Sequence, residues 1–297
     1  MKRKLFGKRI IVTGCGYTKL QTMFTNLADG LPSHDEILIS GTSHKMNMGA
    51  ATAKILAQEG AVVHMVSRTQ DKLEIIKDHI VQAGVPNSRV EFSAVDLMDE
   101  ATVEQWVADL PKNLPLYWFH CVGQSAGSYK TDISNRWLPF DQLTLEHFST
   151  EVIPFWATTR NVAKSLWPIF VAQRETRIVL ISSMSAVRCY TLGASHCAAE
   201  AAMDKLANVL MLAGYKQNIF VTTLRAGAID TGTYESKEVQ ESVIKITNEY
   251  NGRWCDEPIT LASPKAIGEL ATAAFSASAH ITSINVVSQG QFPNEGS

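Results

Sequence analysis

Short runs of almost unbroken apolar character dominate this chain: RIIVT at 9–13, VVHMV at 62–66, RVEFSA at 89–94, YWFHCV at 117–122, RIVLIS at 177–182, FVTTLR at 220–225 and SINVVS at 283–288. A strand with one face in water alternates apolar and polar residues. These runs do not, so they read as strands covered on both faces. Between most of them lie helical patterns, at 48–59, 69–83, 99–109, 144–171, 196–213 and 264–278. Strand and helix in alternation predict an α/β fold with a doubly wound parallel sheet. A chain of 297 residues, 45% of them hydrophobic, buries one large core, and a single domain over 1–297 is the expectation. In such sheets ligands bind at the carboxyl ends of the strands, where strand order reverses.

Several function classes carry little support. A net charge of -2 gives no field for holding a polyphosphate backbone, which argues against nucleic-acid binding. The basic start and the short IIV that follows are too small for a signal-peptide core or a membrane span, so no membrane partner and a cytoplasmic location are expected. Five cysteines, at 15, 121, 189, 197 and 255, form no C-x-x-C pair, and the eight histidines show no metal-ligand spacing. Neither a disulfide framework nor a metal site is expected.

Two segments break the alternation. Residues 17–45 separate the first strand from the first good helix, where a ligand-binding turn needs only a few residues. Residues 232–262 form a second long polar stretch, placed where a lid over a substrate would hang.

The strand ends carry the functional signal. The first strand ends VTGCG at 12–16, and a glycine-rich turn resumes at KMNMGAA, 45–51, with Asn47 and Gly49 where two further glycines would stand. Arg68 follows the second strand, in VSRT; Asp96 and Leu97 stand in AVDLMD; Gly123 closes HCVG; Gly227 and Thr231 mark RAGAIDTG. Over nearly its whole length the chain resembles the short-chain dehydrogenase/reductase family, which implies a Rossmann-like fold. By that resemblance Gly14, Asn47 and Gly49 shape the turn around the cofactor pyrophosphate. Asp96 and Leu97 cradle adenine, Gly123 matches the glycine of the family's N-N-A-G segment, and Gly227 and Thr231 belong to the segment that closes over nicotinamide. Arg68 stands where an acid would select NAD, which makes NADP (NADPH) the expected cofactor. The 17–45 insertion interrupts the turn and puts its phosphate geometry in question.

The reacting residues depart further. In the resembled family a Ser steadies the carbonyl oxygen, a Tyr carries the proton, and a Lys four residues on holds the ribose. Here Ser183 is in place, but His196 falls on the tyrosine and Glu200 on the lysine. The additional Asn expected near 151–155 is missing. At spacing four, His196 and Glu200 share a helix face and can pair. A protonated imidazole is able to replace the tyrosine as acid, although it ends roughly two ångströms short of a phenol hydroxyl. Tyr190 is an alternative donor, with packing under its loop the plainer reading. Lys205 points away, into solvent, and Cys121 and Cys197 read as small buried hydrophobes.

Three functions compete on this sequence. The first is a divergent NADP-dependent oxidoreductase acting on a carbonyl or alcohol, with Ser183 polarising it, His196 relaying the proton and Glu200 orienting His196. The second is a non-redox acid–base enzyme performing elimination, isomerisation or cyclisation. The third is a catalytically silent nucleotide-binding or scaffolding protein. Trp137, Phe140, Tyr234, Tyr250 and Trp254 in the loops favour a small apolar substrate. The resemblance also implies a homodimer or homotetramer built through the helices at 144–171 and 196–213.

Overall fold

The computed structural model describes residues 4–21, 34–123, 140–189, 193–232, 241 and 261–288. In chain order the strands are β1 (Arg9–Thr13), β2 (Tyr17–Lys19), β3 (Glu36–Ile39), β4 (Thr42–Met46), β5 (Val62–Ser67), β6 (Val90–Ala94), β7 (Leu116–His120), β8 (Thr176–Ser183), β9 (Ile219–Ala226) and β10 (Ser283–Val286). The helices are α1 (Met48–Gln58), α2 (Gln70–Gln82), α3 (Glu100–Asp109), α4 (Leu145–Ala172), α5 (Ala194–Gly214) and α6 (Pro264–Ser276). Among the described residues one sheet runs β10-β9-β8-β7-β1-β5-β6, and every pairing in it is parallel. The order turns back at β1, which opens a crevice at the carboxyl ends of β1, β5 and β7. This is the doubly wound, Rossmann-like sheet expected from the apolar runs.

Burial explains the pattern of those runs. Every residue of β1 and of β7 is buried, as their central places demand, whereas edge strand β10 is only half covered. The small residues of α1, Gly49, Ala50, Ala51, Ala53 and Ala57, are buried and let that helix lie close on the sheet. Gly268 of α6 sits so near α1 that a Cβ there would come 2.9 Å from Ile55. Among the described residues no helix is long and apolar enough to cross a membrane.

The insertion at 17–45 does not disrupt the turn it interrupts. It leaves and returns as β2 and β4, paired antiparallel with Tyr17 opposite Met46, and β3 completes a separate sheet in the order β2-β4-β3. Asn47 stitches the two halves of the turn. Its backbone N–H donates to Gly16 O at 3.0 Å, its side-chain amide donates to Gly14 O at 2.9 Å, and its side-chain oxygen accepts from the Gly16 and Ala50 N–H groups at 3.0 Å. Asn47 thereby serves as the N-cap of α1 and as the clasp of the turn.

The insertion is also tied to the far side of the crevice. Asp230, just after β9, forms an ion pair with Lys45 of β4, and His34 Nδ1 donates to its other oxygen at 3.0 Å. The side chains of all three are no more than 1% exposed. Thr18 packs on Gly232, where a Cβ would come within 2.7 Å of its hydroxyl. The two ends of the 232–262 segment meet in a parallel bridge, Ile229 to Ala262, while the body of the segment lies outside the described residues.

At the sheet centre His120 links three elements. It shares hydrogen bonds of 2.8 Å with the Thr13 hydroxyl of β1 and with the Thr159 hydroxyl of α4. Complete burial pushes its pKa down to about 3 and keeps the ring neutral.

Two stability measurements follow. A Lys45→Met change leaves Asp230 without its lysine and should cost about 3 kcal/mol in urea unfolding, whereas the Lys45→Met, Asp230→Asn double variant recovers much of it. Because the folded pKa of His120 lies below its ordinary value of 6.5, the unfolded chain binds the extra proton as pH falls from 6.5 toward 3. Stability should decline through that window, and His120→Gln should show a shallower decline.

Candidate active site

A cavity of about 340 Å³ opens where the strand order reverses. Its walls follow the sheet. Gly123, Val122 and Cys121 come from the end of β7, Gly14 to Gly16 from the end of β1, Ser67 to Thr69 from the end of β5, and Val95 to Leu97 from the end of β6. Asn47 and Met48 bring the N-terminus of α1 to the middle of the cavity, with its free N–H groups and positive dipole end. Thr231 and Gly232 close the β7 end, and Tyr17 and Thr18 of the insertion add a wall.

Gly14 and Gly49 explain why the chain can turn so tightly here. Gly14 has φ of +90°, and a Cβ on it would lie 2.2 Å from the Cys121 carbonyl oxygen. A Cβ on Gly49 would lie 2.5 Å from the Gly14 carbonyl oxygen. Only glycine fits either place.

The charged side chains of the cavity gather at one end. Arg68 and Lys72 stand together at the β5 end. Lys72 Nζ lies 5.1 Å from the centre of the Tyr17 ring, so the insertion helps to position it. Asp96 is in this wall, and its side chain accepts from the Met98 N–H at 3.0 Å. Asn161 of α4 fixes the adjoining turn by donating to Leu97 O at 3.0 Å.

Of the expected cofactor residues, Gly14, Asn47, Arg68, Asp96, Leu97, Gly123 and Thr231 line the cavity, and Gly49 stands directly behind its turn. Gly227 does not line it; its N–H donates to Val286 O at 2.7 Å and joins β9 to β10. Lys72, Tyr17 and Thr18 escaped the sequence reading. The first lies in the opening turn of α2, four residues after Arg68, whereas nothing in the sequence places the insertion against this wall.

Ser183, His196 and Glu200 stand behind the β7 end, outside the cavity wall. Ser183 ends β8, and its oxygen accepts from the Ser185 N–H at 3.1 Å and lies 2.6 Å from the Ser185 hydroxyl. His196 and Glu200 share one face of α5, as their spacing predicts, with His196 Nε2 4.0 Å from Glu200 Oε1. Sequence reading missed Glu151. That residue of α4 is buried, and its Oε1 lies 3.3 Å from His196 Nδ1, so the imidazole sits between two carboxylates. Asp204, one turn beyond Glu200, accepts from Arg225 of β9 at 2.6 Å. Lys205 is exposed, as expected. Tyr190, Trp137, Tyr234, Tyr250 and Trp254 lie outside the described residues, while Phe140 is exposed.

Glu200 is the most costly group of this set. Its side chain is 8% exposed, and its Oε2 has no hydrogen-bond partner. Burial, and then the neighbouring Asp204 and Glu151 carboxylates, push its pKa up to about 7, against the opposing pull of His196. Glu200 and burial together also push the Cys121 thiol up to about 12, which keeps it protonated and unreactive. Cys15, Cys189 and Cys197 are likewise free thiols.

Since the folded pKa of Glu200 exceeds its ordinary 4.5, folding favours the protonated form, and stability is lost as pH rises from 4.5 through about 7. Glu200→Gln removes that cost. It should raise stability at pH 8 by roughly 2 kcal/mol over wild type and leave stability at pH 4.5 nearly unchanged, as read by denaturant unfolding at the two pH values.

Comparison with known proteins places this geometry. A family model for short chain dehydrogenase matches residues 37–242, so the match begins inside the insertion and leaves β1 and Gly14 ahead of it. A fatty acyl-CoA reductase of Acinetobacter baylyi is 25% identical over 208 residues, covering 69% of this chain and 65% of that protein's length. Three solved structures share the fold. An NADPH-bound short chain oxidoreductase of Pseudomonas aeruginosa with an atypical catalytic centre has a TM-score of 0.68 at 17% identity, covering 94% of each chain. An alcohol dehydrogenase of Thermococcus sibiricus, complexed with 5-hydroxy-NADP, has a TM-score of 0.67 at 16% identity, covering 97% of this chain and 99% of that one. A short-chain type dehydrogenase/reductase of Mycobacterium ulcerans has a TM-score of 0.70 at 19% identity, covering 95% and 89%.

Proposed function

The chain belongs to the short-chain dehydrogenase family, and from that premise we propose that it is an NADP-dependent oxidoreductase acting on a carbonyl or alcohol group of a small, apolar substrate. The observation that carries this reading is a cavity with a glycine turn and a helix N-terminus in its middle and two cations, Arg68 and Lys72, at one end. That donor set fits a phosphorylated dinucleotide. The α1 N-terminus faces the pyrophosphate, Arg68 and Lys72 hold the additional phosphate, and Asp96 and Leu97 border the adenine. Gly123 and Thr231 belong to the nicotinamide end. Bound there, the reduced cofactor supplies a hydride to the substrate carbon.

The chain's own groups do the rest. Ser183 oxygen accepts the Ser185 N–H and lies in reach of the Ser185 hydroxyl, so with Ser185 donating, the Ser183 proton is left to donate to the substrate oxygen. His196 delivers the proton to that oxygen, and Glu151 and Glu200, on either side, position the ring. The 232–262 segment, whose ends are joined beside Asp230, serves as the lid. Exposed Ile153 and Trp156 on α4 and Val209 and Leu212 on α5 support a homo-oligomer formed through these two helices.

Fluorescence titration of the purified protein with NADPH tests the cofactor. The Arg68→Ala, Lys72→Ala double variant should bind NADPH at least tenfold more weakly while its affinity for NADH changes little. On a panel of carbonyl compounds, His196→Ala should lower kcat by roughly 100-fold with NADPH binding retained. Absence of NADPH binding to wild type would remove this reading and favour non-redox acid–base chemistry.

A further inference from the structure

Cations line one end of the cavity and a buried carboxylate stands behind the other, and one consequence goes beyond the proposed hydride transfer, on which it rests. Arg68 and Lys72 stand at the β5 end. Behind the Cys121 end lies Glu200, buried, with one oxygen lacking a hydrogen-bond partner. The link is geometric: Cys121 and Gly123 line that wall, a Cβ on Gly123 would lie 3.7 Å from Phe155, and Phe155 packs with Ala199, the residue beside Glu200. We propose that Glu200 makes this protein select the oxidised over the reduced form of its dinucleotide, and so shifts the equilibrium between bound reactants and bound products toward the reduced substrate.

The argument is one of charge. Reduced and oxidised cofactor carry the same phosphates, so Arg68 and Lys72 hold both equally. They differ at the nicotinamide ring, which is neutral when reduced and a cation when oxidised. In a reduction the ring loses two electrons and one hydrogen as hydride. The hydride joins the carbonyl carbon, a proton from His196 joins the oxygen, and positive charge appears on the ring. A carboxylate close to that end stabilises the charge as it forms, in surroundings where water screens poorly. A lysine in the same place would oppose it.

The groups around Glu200 reinforce this sense. His196 and Asp204 face it from α5, Glu151 from α4, Cys121 from the end of β7 and Ser182 from β8. Arg225 of β9 is engaged by Asp204. Among the groups that act on Glu200, only His196 contributes a positive charge, and only when protonated. Acid conditions therefore weaken the preference by protonating Glu200. A neighbouring cation also draws a proton from Glu200, whose pKa of about 7 leaves it poised to respond.

Equilibrium titrations with NADP+ and NADPH test the inference through the ratio of the two dissociation constants, with no turnover required. Glu200→Gln, which keeps the shape of the side chain, should shift that ratio on the order of tenfold toward NADPH, and Glu200→Lys should shift it further. In wild type the ratio should move toward NADPH as pH is lowered from 8.5 to 6. His196→Gln should retain the part of this movement that belongs to Glu200. The pH series also decides the matter should the Glu200 variants not fold, and the cofactor phosphates cancel in the ratio. A ratio unchanged within twofold in Glu200→Gln, or flat with pH, overturns the inference and leaves the proposed function standing. Failure of wild type to bind either nucleotide overturns both.

Discussion

The clearance between β1, β7 and α1 governs this structure. Gly14 has no room for a methyl group beside the Cys121 carbonyl, and Gly49 has none beside the Gly14 carbonyl. Two glycines thus let three pieces of backbone meet at one point, and Asn47 holds them there with hydrogen bonds on both sides of its amide. The crevice follows from that contact, because it aims the start of α1 across the ends of the central strands. The thirty residues between the halves of the turn leave it intact because the chain departs and returns on paired strands.

Much of this was legible in the sequence. Strands buried on both faces cannot alternate, so their apolar runs stood out, and each became a strand within two residues of its expected ends. His196 and Glu200 were found by a spacing of four, which a helix turns into a shared face. Other partnerships were hidden by distance along the chain. Lys45 and Asp230 are 185 residues apart, and a lysine in a strand of mixed polarity reads as a surface residue until a buried carboxylate is seen opposite. Glu151 was passed over for a similar reason, since a glutamate near the start of a long helix most often faces water. The doubt over the interrupted turn arose because a sequence lists residues in order and cannot reveal that positions 16 and 47 are hydrogen-bonded neighbours.

The buried polar groups divide into two kinds. His120 and Asp230 are fully engaged by partners and hold elements together. Glu200 and His196 are incompletely engaged, and Glu200 weakens the fold as it charges. The cost of keeping Glu200 is accounted for by the proposed chemistry and not by packing, in the ordinary trade between stability and activity. The family fold supplies the scaffold, and the changed residues on α5 alter the potential in which a reaction would run.

The root of the insertion has one more consequence. Because β2 and β4 enter and leave side by side, the segment between them is a spur on the topology, and its length is invisible to the main sheet. Such a spur can be lengthened, shortened or exchanged without moving the strands that define the crevice. Yet His34 and Lys45, both in its second half, grip one carboxylate across the opening. A variant spur would communicate with the remainder of the protein through Asp230 and through the Thr18–Gly232 and Tyr17–Lys72 contacts, which any graft has to keep.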